Sequence, residues 1–210
     1  DKLETLAGMF GIGQSPTGDK DPFALRRHAL GILRMLLENK LALDLDELIA
    51  LAFSGFPEGL LKPAQADLRT FILERLGGMM REQGYSANEV EAVLCLTPTL
   101  LYRVPEQLKA VRAFSALPEA ASLAAANKRV GNILRKAGEA VGNRIDPSLL
   151  HEPAEQALHR ALDEISPQAQ AAFDSGNYTA SLQVLAGLKE PVDHFFDHVM
   201  VNTDDASLRA

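Results

Sequence analysis

Pro118-Glu119-Ala120-Ala121-Ser122-Leu123-Ala124-Ala125-Ala126-Asn127-Lys128-Arg129-Val130-Gly131-Asn132-Ile133-Leu134-Arg135-Lys136-Ala137 is the stretch on which the fold turns. Leu123, Ala126, Val130, Ile133 and Ala137 step by three or four residues, which stacks them on one face of an α-helix. Lys128, Asn132 and Arg135 fall on the opposite side, with Arg129 and Lys136 beside them. Pro118 marks the start, because the first helical position has no use for the missing N–H. The rest of the chain reads alike: 33 Leu and 30 Ala stand against 10 Val and 7 Ile, and no run alternates apolar with polar. Pro22, Pro63, Pro105 and Pro153 also stand where helices should begin. The expected fold is all-α, a helical bundle.

Working outward, the spacing predicts helices over 22–38, 45–53, 63–83, 87–96, 106–117, 153–174 and 178–201, the last bent or broken at Pro191. In the first of these, Phe23, Leu30, Leu33 and Leu37 are expected to face inward. Leu182, Leu185, Leu188, Val192, Phe195 and Val199 form a second apolar stripe, read as core. Gly8 to Gly18 holds four glycines and a proline in eleven positions, which predicts a loop. A boundary near Thr97-Pro98-Thr99 divides the chain into a helical body segment with its Gly-rich loop, residues 1–98, and a second domain, residues 99–210; one continuous bundle reads almost the same way.

The 210 residues, 47% hydrophobic and 23% charged, suffice for one generous core or two small ones. No uncharged run reaches the roughly 18–20 residues of a membrane span. Cys95 is the only cysteine, which excludes an intrachain disulfide and fits a reducing compartment; its neighbours Val93, Leu94 and Leu96 place it in a core. Asp1-Lys2-Leu3-Glu4 shows neither an initiator Met nor a signal-peptide pattern, so a cytoplasmic piece of a longer chain is expected.

The formal charge of −7 argues against a nucleic-acid partner only if it is evenly spread. It is not: residues 103–144 carry eight basic and three acidic side chains, whereas residues 1–102 carry ten and fourteen and residues 145–210 three and eleven. The basic island contains the helix quoted above. Lys and Arg on one helix face can bind phosphates, and Asn can reach a base edge or a sugar. Arg103, Lys109 and Arg112, on or next to the preceding helix, extend the patch. A basic face is also what a merely solvated helix shows, and no aromatic residue is interleaved on this one, so base stacking is not expected there.

Other patterns fail on chemistry. Gly13-Gln14-Ser15-Pro16-Thr17-Gly18-Asp19-Lys20 puts Asp19 where a phosphate loop needs Lys, and no strand precedes it. His194 and His198 are spaced for one helical face, but Phe195 stands where a zincin has Glu and no third ligand is apparent. No catalytic set and no metal site stand out.

Three segments carry a family resemblance. They are Phe10-Gly11-Ile12-Gly13 with Asp21-Pro22-Phe23-Ala24-Leu25-Arg26-Arg27; Ala124-Ala125-Ala126-Asn127-Lys128-Arg129-Val130 with Asn132-Ile133-Leu134; and Pro191-Val192-Asp193, Phe195-Phe196-Asp197 and Val199-Met200-Val201, ending in Asp205-Ala206-Ser207-Leu208-Arg209. In order, these resemble the C-terminal part of the beta subunit of bacterial glycyl-tRNA synthetase, and the ending is similar to the signature of the DALR anticodon-binding domain. The resemblance implies a DALR-like domain over 99–210, stopping at Ala210 where the family continues. It implies a role in holding tRNA-Gly by its anticodon end within a hetero-oligomer of alpha and beta subunits, with ATP and magnesium used by the alpha subunit and no cofactor, DNA or membrane partner here. Asn127, Lys128, Arg129, Asn132, Arg135 and Lys136, extended by Arg103, Lys109 and Arg112, are then the expected RNA contacts. Arg26 and Arg27 match the family motif too, although adjacent arginines at a helix start equally suit pairing with acids. Two other readings stand beside this one: a module that assembles subunits without touching RNA, and an independent enzyme.

Overall fold

The structure, a computed structural model, describes residues 1–137 and 145–199, the side chains of 136 and 137 excepted. Among the described residues there are ten α-helices and two short 3-10 turns, and the one β-type pairing is an isolated bridge between Thr17 and Lys20. The all-α expectation holds. Two compact units divide at Lys109–Ala110.

The first unit contains α1 (Lys2–Gly11), α2 (Leu25–Glu38), α3 (Leu45–Ser54), α4 (Gln65–Glu82), α5 (Ala87–Leu94), a 3-10 turn (Leu101–Arg103) and the start of α6 (Val104–Ser115). Helix α4 is central: Leu68, Ile72, Leu76 and Met80 step by four along it and are fully buried, while α1, α2, α3 and α5 all pack on it. Asp44 accepts from the Asp46 and Glu47 amides to start α3, and Ser86 forms a reciprocal box with Glu89 at α5.

Three expectations change here. Gly8 to Gly11 is helix, not loop. A Cβ on Gly8 would lie 3.1 Å from the Phe56 ring, and one on Gly11 2.7 Å from Leu61 Cβ. These glycines serve close packing rather than a turn, and the Lys62 amide reaches the Gly11 carbonyl at 2.9 Å across the same contact. Helix α2 begins at Leu25 rather than Pro22, because Ala24 takes a left-handed conformation (φ 54°) and the Asp21 carboxylate accepts from the Leu25 and Arg26 amides. Its inward set is accordingly Leu25, Ala29, Ile32, Leu33 and Leu36; Phe23 lies outside the helix and is 49% exposed, and Leu30 and Leu37 are half-buried. Cys95, expected in a core, is exposed as the cap residue just after α5, although Val93 two residues before it is buried.

The two glycine environments make a paired prediction. Alanine in place of glycine inside a helix normally gains up to about 1 kcal/mol. At Gly78, with open space around it, Gly78→Ala is expected to stabilise by about that much. At Gly11 the obstructing atom is anchored to a backbone and cannot swing away, so Gly11→Ala is expected to cost about 1–3 kcal/mol in urea denaturation. Equal signs for the two substitutions would remove the packing explanation.

The second unit contains the end of α6, then α7 (Ala120–Ala137), a 3-10 turn (Pro147–Leu149), α8 (Pro153–Asp174), α9 (Tyr178–Ala186) and α10 (Lys189–His198). Helices α8 and α9 pair, and α10 packs on both α8 and α7. The stripe Leu182, Leu185, Leu188, Val192, Phe195 and Val199 is half-buried throughout rather than a closed core. The break expected at Pro191 falls at Gly187-Leu188 instead. Gly187 and Leu188 donate to Val184 and Leu185 in tight turns, and Pro191 sits in the first turn of α10, where its lost N–H leaves no gap. Among the described residues, every one of the largest fully buried side chains lies in 1–109, so polar ties weigh more in the second unit.

Candidate nucleic-acid interface

Helix α7 is amphipathic as the spacing requires, but its apolar side is only partly covered. Leu123, Ala126 and Ile133 are half-buried, whereas Val130 and Leu134 are 41% and 48% exposed. Lys128, Asn132 and Arg135 form one exposed row at i, i+4 and i+7, flanked by exposed Asn127 and Arg129. Among the described residues, the side chains of Lys128, Asn132 and Arg135 have no hydrogen-bond or ion-pair partner. Three polar groups kept in water on one face, two of them cationic, are what an incoming polyanion meets first. The Lys136 side chain lies outside the described residues.

What holds α7 in place comes from α10. The Ser122 hydroxyl donates to Asp193 Oδ1 at 2.7 Å, and Lys189 Nζ donates to Asp193 Oδ2 at 2.7 Å. The Lys189 ammonium and the Ser122 hydroxyl hold the Asp193 carboxyl below the usual carboxylate range, and Asp193 in turn pushes Lys189 above the usual ammonium value. One turn further along α10, the ring of Phe196 lies beneath Arg129, whose guanidinium carbon is 4.1 Å from the ring centroid; Phe195 meets Phe196 edge-on at 5.3 Å. An aromatic side chain does therefore adjoin the basic face. Spacing along α7 cannot show this, because the ring is donated by another helix. Phe196 and Asp193 both fall in the Pro191–Asp197 segment, which is the one signal for them in the sequence.

The Asp193 tie has a pH signature. Its carboxyl is depressed in the folded state, so its contribution is present above the ordinary carboxylate value of about 3.9 and is lost as pH falls through the lower folded value. Lys189 contributes below the ordinary lysine value and loses that contribution as pH rises through its raised one. Asp193→Asn is expected to lower the thermal midpoint of the second unit at pH 7 and to lessen its drop between pH 5 and pH 2.5. A variant as steep in acid as the wild type would show that the tie contributes nothing.

The remaining expected contacts are placed otherwise. Arg103 and Lys109 belong to the first unit. Arg103 is half-buried with Nε 3.0 Å from the Tyr102 hydroxyl oxygen, and Lys109 is paired at 2.8 Å with Glu106, which raises the lysine's pKa. Arg112 is exposed on α6 and is likewise engaged. Arg26 donates to the Gly18 carbonyl and so braces its own loop, while Arg27 is exposed. That loop has no room for a phosphate at the start of α2, since Asp21 occupies the Leu25 and Arg26 amides. His194 and His198 are exposed and stacked, with ring centroids 4.2 Å apart and His198 Nδ1 2.9 Å from the His194 carbonyl oxygen. Among the described residues no three His, Cys, Asp or Glu side chains gather as metal ligands, and no helix is long and apolar enough to cross a membrane.

Comparison with known proteins bears on both units. Residues 1–95 match the family described as glycyl-tRNA synthetase beta subunit, and residues 123–210 match the DALR anticodon binding domain. The chain is 66% identical over 210 residues to the glycine–tRNA ligase beta subunit of Thiobacillus denitrificans, and 61% identical over 212 and 209 residues to those of Dechloromonas aromatica and a Janthinobacterium species. In each case all of this chain is covered, and it spans 30% of the relative's length.

Proposed function

Because this chain belongs to the glycyl-tRNA synthetase beta subunit family, we propose that its second unit holds tRNA-Gly by the anticodon end, in support of ATP-dependent glycylation. The observation that carries this reading is the exposed row of Lys128, Asn132 and Arg135, whose side chains have no partner among the described residues and which lies inside the segment matching an anticodon binding domain. The cations supply affinity that is independent of sequence, and Asn132 supplies a donor and an acceptor for a base edge. Docking rather than bond making is then the contribution of these residues. Glycine activation, with ATP and magnesium, falls to the alpha subunit of a cytoplasmic alpha–beta assembly.

The test is binding of tRNA-Gly to the full-length beta subunit across a salt series. A steep loss of affinity with salt, on the order of 0.7–0.9 log units per log unit of salt for each phosphate contacted, is expected. Salt-independent or absent binding would remove the proposal.

A second reading, a module that assembles subunits without contacting RNA, is favoured by the apolar side chains the first unit leaves in water, among them Leu51 at 71% and Leu96 at 66% exposed. Gel filtration and pull-down with the alpha subunit, with and without tRNA, separate the two: assembly that needs residues 1–109 but no tRNA contact by α7 supports the second.

A further inference from the structure

We propose that the guanidinium of Arg129, held over the ring of Phe196, is a stacking platform for one unpaired nucleobase; this rests on the tRNA-binding reading above and names the part of the RNA that this face takes. Unpaired bases in RNA are recognised by stacking on aromatic rings and on arginine planes. Arg129 offers such a plane. It is exposed, it lies 4.1 Å over the Phe196 centroid, and no carboxylate among the described residues pairs with it. An arginine whose charge is not spent on an acid and whose inner side rests on a ring leaves its outer side for a second flat group.

The support beneath it is fixed rather than incidental. Phe195 meets Phe196 edge-on, and one turn away the Ser122–Asp193 hydrogen bond fastens α7 to α10, with Lys189 of α10 holding the Asp193 carboxylate in place, so Phe196 is carried to the same position under Arg129. The neighbouring charges choose the chemistry of the occupant. Lys128 and Arg135, on the α7 row, suit phosphates. Asp197, exposed and next to Phe196 in sequence, adds a negative charge on α10 that disfavours a phosphate and favours the flat, uncharged part of a nucleotide. A duplex buries its base faces, so the occupant is a base in a loop.

The experiment uses full-length beta subunit and the anticodon stem-loop of tRNA-Gly, with 2-aminopurine placed at one loop position at a time; stacking quenches its fluorescence. Quenching at one loop position is expected. Arg129→Lys keeps the charge and loses the plane, and Phe196→Leu keeps apolar bulk and loses the ring. Each is expected to abolish that quenching and to weaken binding about five- to a hundredfold, with the salt slope unchanged. Lys128→Ala is expected to do the reverse, lowering the slope and keeping the quenching. Quenching that survives in Arg129→Lys, or RNA that binds with no loop position quenched, overturns the platform alone. A stem-loop that fails to bind the wild type overturns the tRNA-binding reading and the platform with it.

Discussion

Lys128→Ala/Arg135→Ala is expected to weaken tRNA-Gly binding by the full-length beta subunit by about thirtyfold near physiological salt. The figure follows from roughly 1 kcal/mol for each exposed, charge-assisted hydrogen bond to a phosphate, or about 2 kcal/mol for the pair. Among the described residues neither side chain has a partner, and both are exposed, so the fold should be untouched. The salt dependence is the stricter measurement. Removing two phosphate-binding cations should flatten the plot of log affinity against log salt by about 1.4–1.8 units, whatever the RNA sequence. Discrimination between tRNA-Gly and another tRNA should change little, because phosphate contacts position the RNA without reading it. An unchanged slope would take α7 out of the interface. By contrast, alanine at Lys109 alone should do little, since Glu106 already holds its ammonium.

Leu76→Ala carries the largest stability effect expected. Leu76 is fully buried on α4, the helix against which α1, α2, α3 and α5 all pack, so its truncation leaves a cavity that no flexible side chain is placed to fill. Buried leucine truncations of this kind cost about 3–5 kcal/mol, a large share of the roughly 5–15 kcal/mol that holds an ordinary domain together. The loss should be local. Hydrogen exchange of amides in α1 to α4 should quicken by two orders of magnitude or more, at about tenfold for each 1.4 kcal/mol. Amides of α8 and α9, which pair within the second unit, should change far less. Uniform quickening over both units would show that they unfold as one.

How much of the fold is legible in the sequence differs by kind of feature. Helix α8 begins and ends where its proline and its turn residues put it, at Pro153 and Asp174, and α3, α4, α5 and α7 are shifted only at their ends. Periodicity, helix formers and start signals act within a few residues, so a linear reading can find them. The exposed row on α7 follows from the same local rule, and its residues are where the spacing puts them. The glycines of α1 escape such a reading because composition alone cannot separate a glycine needed for a turn from one needed for close approach; Leu61 and Phe56, which decide it, are far along the chain. Cys95 escapes it for a similar reason, since apolar neighbours in sequence do not say which way a helix end faces.

Composition and spacing suffice for the all-helical architecture and for the segregation of positive charge into residues 103–144, and the three quoted segments carry the resemblance to the families that residues 1–95 and 123–210 match. Which of those cations meets a group from a distant part of the chain follows only from the packing of the helices. Phe196 of α10 lies beneath Arg129, whereas Lys128 and Arg135 on the same helix α7 are exposed with no such ring among the described residues against them. The reason is physical. A helix face is set by a turn of about 100° per residue, but whether a cation on it is free depends on carboxylates, carbonyls and rings that other parts of the fold bring within a few ångströms.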